Sequence, residues 1–346
     1  MTCPTYYTTN DISLFYCDEP CEELESRSFY LVSQIAWKSV PITSESLDAI
    51  VTTAVSEQIT SERSFRQSKA VGTEVLGEIT VASPLSDFFT RMLQSVLQAP
   101  RQPPPTPVVS SDGPDTWKVC RAIQNGSDRR RYAFLKRVRR RDDHYDFYLF
   151  RGCEVDSVQI PVAPASFVYP KVSIIGLSLA KIVSDSGLDA LPNWTFEPET
   201  APAPLSGSEA VSQLVVRTEG GSEIHTTFQN FTLALGNEGW LRHAVGKRKV
   251  AAVAAGFGRF SALLSGTAYY TSPTYFQTML LDRVLSLVFS LTNDEGAGLT
   301  FSSDFVKVLN SEVPKAASAD QDLLIQVGFQ FFESGSTGTL RVLRHE

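Results

Sequence analysis

The feature that most limits how this chain can fold is a run of prolines, Ala99 to Pro114, reading APRQPPPTPVVSSDGP. Proline fixes φ and donates no backbone hydrogen, so the run cannot continue a helix and favours extended polyproline geometry. At 346 residues the chain is long enough for one large domain or two ordinary ones. The expected division is a region over 1–98, a linker over 99–115 and a second region over 116–346.

The apolar spacing differs on the two sides of the prolines. Phe29–Val40 has the aromatic and aliphatic richness of a strand. Thr43 or Ser44 then reads as an N-cap, with Leu47, Ile50, Val51, Ala54, Val55 and Ile59 at helical spacing. A second helix is predicted from Ser83 or Pro84 through Leu97, with Phe88, Phe89, Met92, Leu93 and Val96 on a wide apolar face. Beyond the prolines the period shifts towards two. Trp117–Ile123, Arg131–Val138 and Tyr145–Val155 read as a three-stranded meander. Val172–Val183 reads as a strand passing into a short helix, and Pro192–Gly207 as a long surface loop. Ser212–Glu219 and Glu223–Leu235 read as a hairpin about Gly220-Gly221. Pro273–Leu291 is the best helix of the second half, Phe305–Leu309 could add a short one, and Leu323–Glu333 with Thr339–Leu343 reads as a closing hairpin. No repeat of fixed period is visible. The expected class is α+β: a helical N-terminal region, then a mainly antiparallel β domain with a long helix over 273–291.

Charge is distributed unevenly. The whole chain carries −7, yet Trp117–Arg151 holds eleven Lys and Arg against four Asp, a local +7. Residues 1–62 are acidic by contrast, with ten carboxylates against two cations. The cations expected to meet a partner are Arg129, Arg130, Arg131, Lys136, Arg137, Arg139, Arg140 and Arg141, with a second patch at Arg242, Lys247, Arg248 and Lys249. Alternation along RYAFLKRV places Arg131, Ala133, Leu135 and Arg137 opposite Tyr132, Phe134, Lys136 and Val138. Cations split between faces do not make a base-stacking platform. They suit phosphate contact, an acidic face on a neighbouring copy, or a strand edge kept soluble by charge.

Catalytic signatures are absent. Four histidines in the chain leave few general bases or metal ligands. Gly256-Phe257-Gly258 lacks the third glycine of a dinucleotide loop, and Ser265 in LLSGTAY is not a nucleophile elbow. His225 reads as a half-buried structural side chain, and His144 and His243 as exposed. Five cysteines do not make a complete disulfide framework, and Cys17-x3-Cys21 lacks a second pair for zinc. No cofactor, metal or catalytic residue is expected. Neither a secretory leader nor a run of some 18 apolar residues is present, so the chain reads as a protein of a reducing cytoplasm with no membrane partner.

Together these features point to a structural or assembly protein. The expected role is a homo-oligomerising shell or scaffold component, of the viral capsid or virion kind on composition alone. Its partners would be itself, other structural subunits, and nucleic acid through phosphates. The alternatives are a stand-alone RNA- or DNA-binding protein and an enzyme of unknown class.

Overall fold

A computed structural model describes residues 11–19, 35–55, 68–100, 119–139, 145–184, 194–199, 202–243, 252–311, 314, 322–334 and 338–345. These residues are nearly all β, and the α+β expectation is corrected. The first half runs β1 (Ile12–Asp18), β2 (Ile35–Ser39), β3 (Ile42–Glu45), β4 (Asp48–Val55), β5 (Ser68–Val81), α1 (Asp87–Val96), β6 (Val119–Gln124), β7 (Tyr132–Arg139), β8 (Tyr145–Val162), β9 (Lys171–Gly176), β10 (Ser178–Ser184) and β11 (Trp194–Glu197). The second half runs β12 (Val211–Thr218), β13 (Glu223–Ile224), β14 (Phe228–Gly236), β15 (Trp240–Arg242), β16 (Ala254–Gly256), β17 (Ser261–Tyr269), α2 (Thr274–Leu280), β18 (Leu285–Thr292), β19 (Gly298–Ser311), β20 (Leu324–Phe331) and β21 (Arg341–His345).

One expected helix is strand and another is cut short by a strand, both for physical reasons. The segment after Thr43 forms β3 and β4, where Ile50, Val51, Thr52, Thr53 and Val55 supply the β-branched side chains that suit a pleated surface. The helix expected over 273–291 stops at Leu280. Asp282 takes a positive φ of 50°, and the chain re-enters as β18. There Leu285, Leu287, Phe289 and Leu291 all point inward, a period of two that a helical reading of the same leucines conceals. Ladders to β12 and β19 on both edges decide the outcome. Phe305–Leu309 likewise lies within β19, and Val172–Val183 spans the two strands β9 and β10, which meet at Leu177. Helix α1 matches its expectation but starts later, with Ser86 Oγ accepting the Phe89 N–H at 3.1 Å as N-cap.

The connectivity is less local than the sequence implies. β7 and β8 form the expected hairpin, whereas β6 leaves the meander to pair with β21. Gly221 supplies the positive φ, 80°, at the turn after β12, but that hairpin closes only onto β13, and β12 pairs chiefly with β18. β20 and β21 do not form a ladder with each other; both flank β19. Within the expected surface loop at 192–207, β11 lies parallel to β2 and buries Trp194 against Trp37 at 5.3 Å.

The eighteen-residue β8 is the hub. Its first part pairs with β7 and β10, its second with β9 and β14. Gly152 at the midpoint has φ 63°, and a Cβ there would lie 2.6 Å from the Leu177 side chain, so only glycine fits. Alternation along β1, β7 and β8 then feeds two cores. Tyr16, Tyr132, Phe134 and Phe150 face the main core with α1. Phe15, Ala133, Leu135, Phe147 and Leu149 face a smaller one capped by β2 and β11. Residues before and after the proline run share the main core, since β1, β5 and α1 pack with β7, β8 and β9.

Candidate assembly surface and the basic segment

The basic segment contributes much of its charge to the protomer itself. Glu154 on β8 is only 2% exposed. Arg129 grips both its oxygens, Nη2 to Oε1 at 2.8 Å and Nε to Oε2 at 3.0 Å, and Arg131 Nε reaches Oε1 at 3.1 Å. Two guanidinium groups around one buried carboxylate offset a desolvation cost of several kcal/mol, ~3–5 if the pair is broken. Arg129 also donates to the Ala255 carbonyl at 3.0 Å and lies 4.8 Å from the Phe257 ring. Arg130 reaches the C-terminal end of α1, donating to Gln94 Oε1 and to the Ala99 carbonyl, where a cation complements the helix dipole.

Lys136 and Arg137 project from opposite faces of β7, as alternation requires. Lys136 Nζ donates to the Leu47 carbonyl at 2.7 Å and pairs with Glu45 at 3.0 Å. Arg137 lies over Phe15, Tyr145 and Phe196 at 4.9, 5.0 and 5.6 Å, closing the smaller core. Arg151, a further cation of the segment, is buried beside Glu19 at 3.4 Å. Arg139 is exposed at the end of β7. Arg242 is exposed on β15, over Trp240 at 5.8 Å. Since β15 pairs with β16 at Ala255, the Arg129 bond brings the base of the second patch beside the first. Arg140, Arg141, Lys247, Arg248 and Lys249 lie outside the described residues.

Nothing catalytic gathers among the described residues. They hold no group of three His, Cys, Asp or Glu arranged for a metal. His225 is exposed rather than half-buried. His243 meets Glu74 at 2.7 Å, but on the open surface. A cleft of about 380 Å³ lies between α1 and the 197–202 segment. Within its lining Arg344 pairs with Asp87 at 2.7 Å and Arg91 with Asp18 at 3.1 Å, and no histidine enters it. The Glu199 carboxyl there is raised above its ordinary range by burial, although it accepts the Phe88 N–H at 3.2 Å.

What stands out is exposed apolar surface, which sequence reasoning missed by taking β4 for a helix. Ile50 and Val51, adjacent on β4, are 51% and 52% exposed; Leu280 and Leu281 at the end of α2 are 66% and 60% exposed; Leu309 on β19 is 59% exposed. The Lys307–Asp282 pair, 2.8 Å, ties the end of α2 to the outer face of β19 beside Leu309. The available signal was the β-branched run Ile50–Thr53, a poor solvated helix face and a good strand. Beyond β9, the β4–β5 ladder over Ser68–Glu74 continues as a two-stranded ribbon, which is marginal in water unless something covers it.

A family model described as phage tail tube protein matches residues 9–331. The chain belongs to that family. It is thus a phage-derived structural protein, a component of the phage particle that assembles with other structural subunits. Among solved structures, a chain of the anti-feeding prophage (AFP) baseplate, determined by cryo-EM and 6-fold symmetrised, is similar at 15% identity. The likeness covers 38% of the tail tube chain and 90% of that chain, with a TM-score of 0.27. No curated protein sequence matches.

Proposed function

We propose that this chain is a homo-oligomeric tube subunit of a phage tail, acting by assembly and not by catalysis. The observation that supports this reading is the apolar exposure of β4 and of the end of α2, on a protomer whose interior aromatics are otherwise fully packed. Exposed apolar surface of this kind on a particle component serves subunit contact. Light scattering and negative-stain microscopy over a concentration series test it: rings or tubes are expected, and a monomer at every concentration overturns it.

In this reading the shell expected from composition becomes a tube, and the basic segment is mainly internal. Arg129, Arg130, Arg131, Lys136 and Arg137 serve the protomer's own carboxylates, carbonyls and rings. Contact with an acidic subunit face or with phosphates is proposed for the exposed Arg242 and for Arg140, Arg141, Lys247, Arg248 and Lys249, which lie outside the described residues. Anisotropy with labelled DNA or RNA across a salt series separates the two: phosphate contact loses about one log unit or more of affinity between low and physiological salt. A contact between subunits shows as salt-dependent oligomer size instead.

A further inference from the structure

The two halves of the chain are built alike in their ladders, although no single period relates them. Six antiparallel ladders of the first half, β1–β7, β7–β8, β8–β9, β8–β10, β5–β9 and β4–β5, recur as β12–β18, β18–β19, β19–β20, β19–β21, β17–β20 and β14–β17. The registers agree as well as the order. In the β7–β8 hairpin Tyr132 pairs with Cys153 and Arg139 with Tyr145; in β18–β19 Leu285 pairs with Val306 and Thr292 with Gly298, each position 153 residues on. The same shift carries the irregularity between Val155 and Ser157 onto the one between Val308 and Asn310, and Pro161 onto Pro314. A shift of 187 residues carries the start of α1 at Asp87 onto that of α2 at Thr274. It also sets Phe89, Met92 and Leu93 on Phe276, Met279 and Leu280. Even a contact is repeated with altered chemistry: the Lys136–Glu45 pair stands where Phe289 meets Phe231 at 5.6 Å.

One ladder breaks the symmetry. β8 also pairs with β14, Ser157 to Gly236 through Val162 to Phe231, which joins the first half to the second. The matching positions of β19 begin at Asn310, and on that edge Asn310 and Ser311 have no ladder partner among the described residues; neither has the outer edge of β4 over Asp48–Ile50. Exposure follows this break. Leu93 is 0% exposed and its counterpart Leu280 66%. Asn237 is 3% exposed, with its amide on the Val96 carbonyl at the end of α1, while its counterpart Val51 is 52% exposed. Apolar side chains are thus exposed on the elements that match both sides of the internal junction.

We infer that a second copy of this chain docks its β4 antiparallel along the open edge of β19, over the exposed leucines of α2, repeating between chains the β14–β8 junction made within one. The contact is head-to-tail, so it propagates from chain to chain, into a ring where the rotation closes and a filament where it does not. It rests on the tube reading and specifies its contact. The register transfers directly: Gly236 opposite Ser157 places Ile50 opposite Asn310 of the next chain. Directly paired residues of antiparallel strands lie about 4.5–5.5 Å apart at Cα, within disulfide reach.

The test is disulfide trapping of the full chain, with Cys3, Cys21 and Cys120 changed to Ser. Cys17 and Cys153 can stay, because burial first, and the Glu19 charge next, push both thiols upward and keep them unreactive. Oxidised I50C/N310C is expected to run as a ladder of covalent oligomers ending at the ring size, and a mixture of I50C with N310C as dimers only. Absence of links in a preparation that light scattering shows to be assembled overturns this junction and leaves the tube reading standing. Dimers from I50C alone overturn it in favour of a two-fold contact. A monomer at all concentrations overturns both.

Discussion

Helix α1 and helix α2 hold the same place in the two halves of the chain, yet one is sealed and the other bare. Phe88, Phe89, Met92, Leu93 and Val96 of α1 are all at 0% exposure, whereas α2 buries Tyr275 and Thr278 and leaves Leu280 and Leu281 in solvent. The two carry Phe, Met and Leu at matching positions, Phe89, Met92 and Leu93 against Phe276, Met279 and Leu280. The first half has the second half beside it through the β8–β14 ladder, while no described strand pairs along the matching edge of β19. An apolar face is therefore evidence about a neighbour, and here the neighbour's shape can be read from inside the same chain.

The sharpest way to break this comparison is at the junction strand. Val51→Asp, or Leu280→Asp, places a charge on surface that is solvated in the protomer and buried in the ring. Assembly measured by light scattering is expected to be lost, with protomer stability unchanged within ~0.5 kcal/mol. Retained tubes in both variants would mean that the halves differ for some other reason.

The next effect concerns buried charge. Glu154 and Lys307 are counterparts on β8 and β19, but Glu154 is enclosed by two arginines and Lys307 meets an Asp282 side chain that is 78% exposed. Glu154→Gln is expected to cost about 3–5 kcal/mol in urea unfolding, and Lys307→Ala about 0.2–1 kcal/mol. Equal costs would show that the first half is not the more tightly closed one. Between these falls Leu233→Ala on β14, a fully buried side chain at the internal junction, expected to cost about 2–5 kcal/mol. Ile50→Ala on β4 should cost under ~1 kcal/mol in the protomer and weaken assembly instead.

The smallest expected effect is in pH. His345 on β21 contacts Thr300 Oγ1 at 2.9 Å, and burial holds its pKa below the ordinary 6.5. The unfolded chain then binds a proton that the folded chain resists, so this contribution is complete above pH 6.5 and is lost as pH falls through 6.5 to the folded value. The Tm of the protomer should decline modestly over that interval, and His345→Asn should flatten the decline. In the first half β10 ends at Ser184, which does not titrate there.

How much was legible differed from element to element. The strands β7 and β8, the helix α1 and the alternation of Arg137 against Lys136 followed from spacing and capping, which act within a few residues. β4 and β18 did not, because leucine, isoleucine and valine at mixed spacing satisfy both a helical and a β period, and only neighbouring strands select between them. The net positive charge at 117–151 was visible, but its destination was not: Arg129 and Arg131 find Glu154 some 25 and 23 positions away, and Lys136 finds Glu45 across the proline run. The duplication was hidden for a related reason. Ladders constrain backbone register and inward volume, so Lys136–Glu45 and Phe289–Phe231 fill one site with unrelated chemistry.

What the amino acids alone determined was local: where the backbone must turn, which helix is capped, and where charge of one sign gathers along the chain. Only the tertiary structure decided which cations remain outward, which apolar side chains stay bare, and that the two halves repeat one another. Those outcomes depend on partners far apart in sequence, and the energy of a buried pair or an open strand edge exists only once distant segments are brought together.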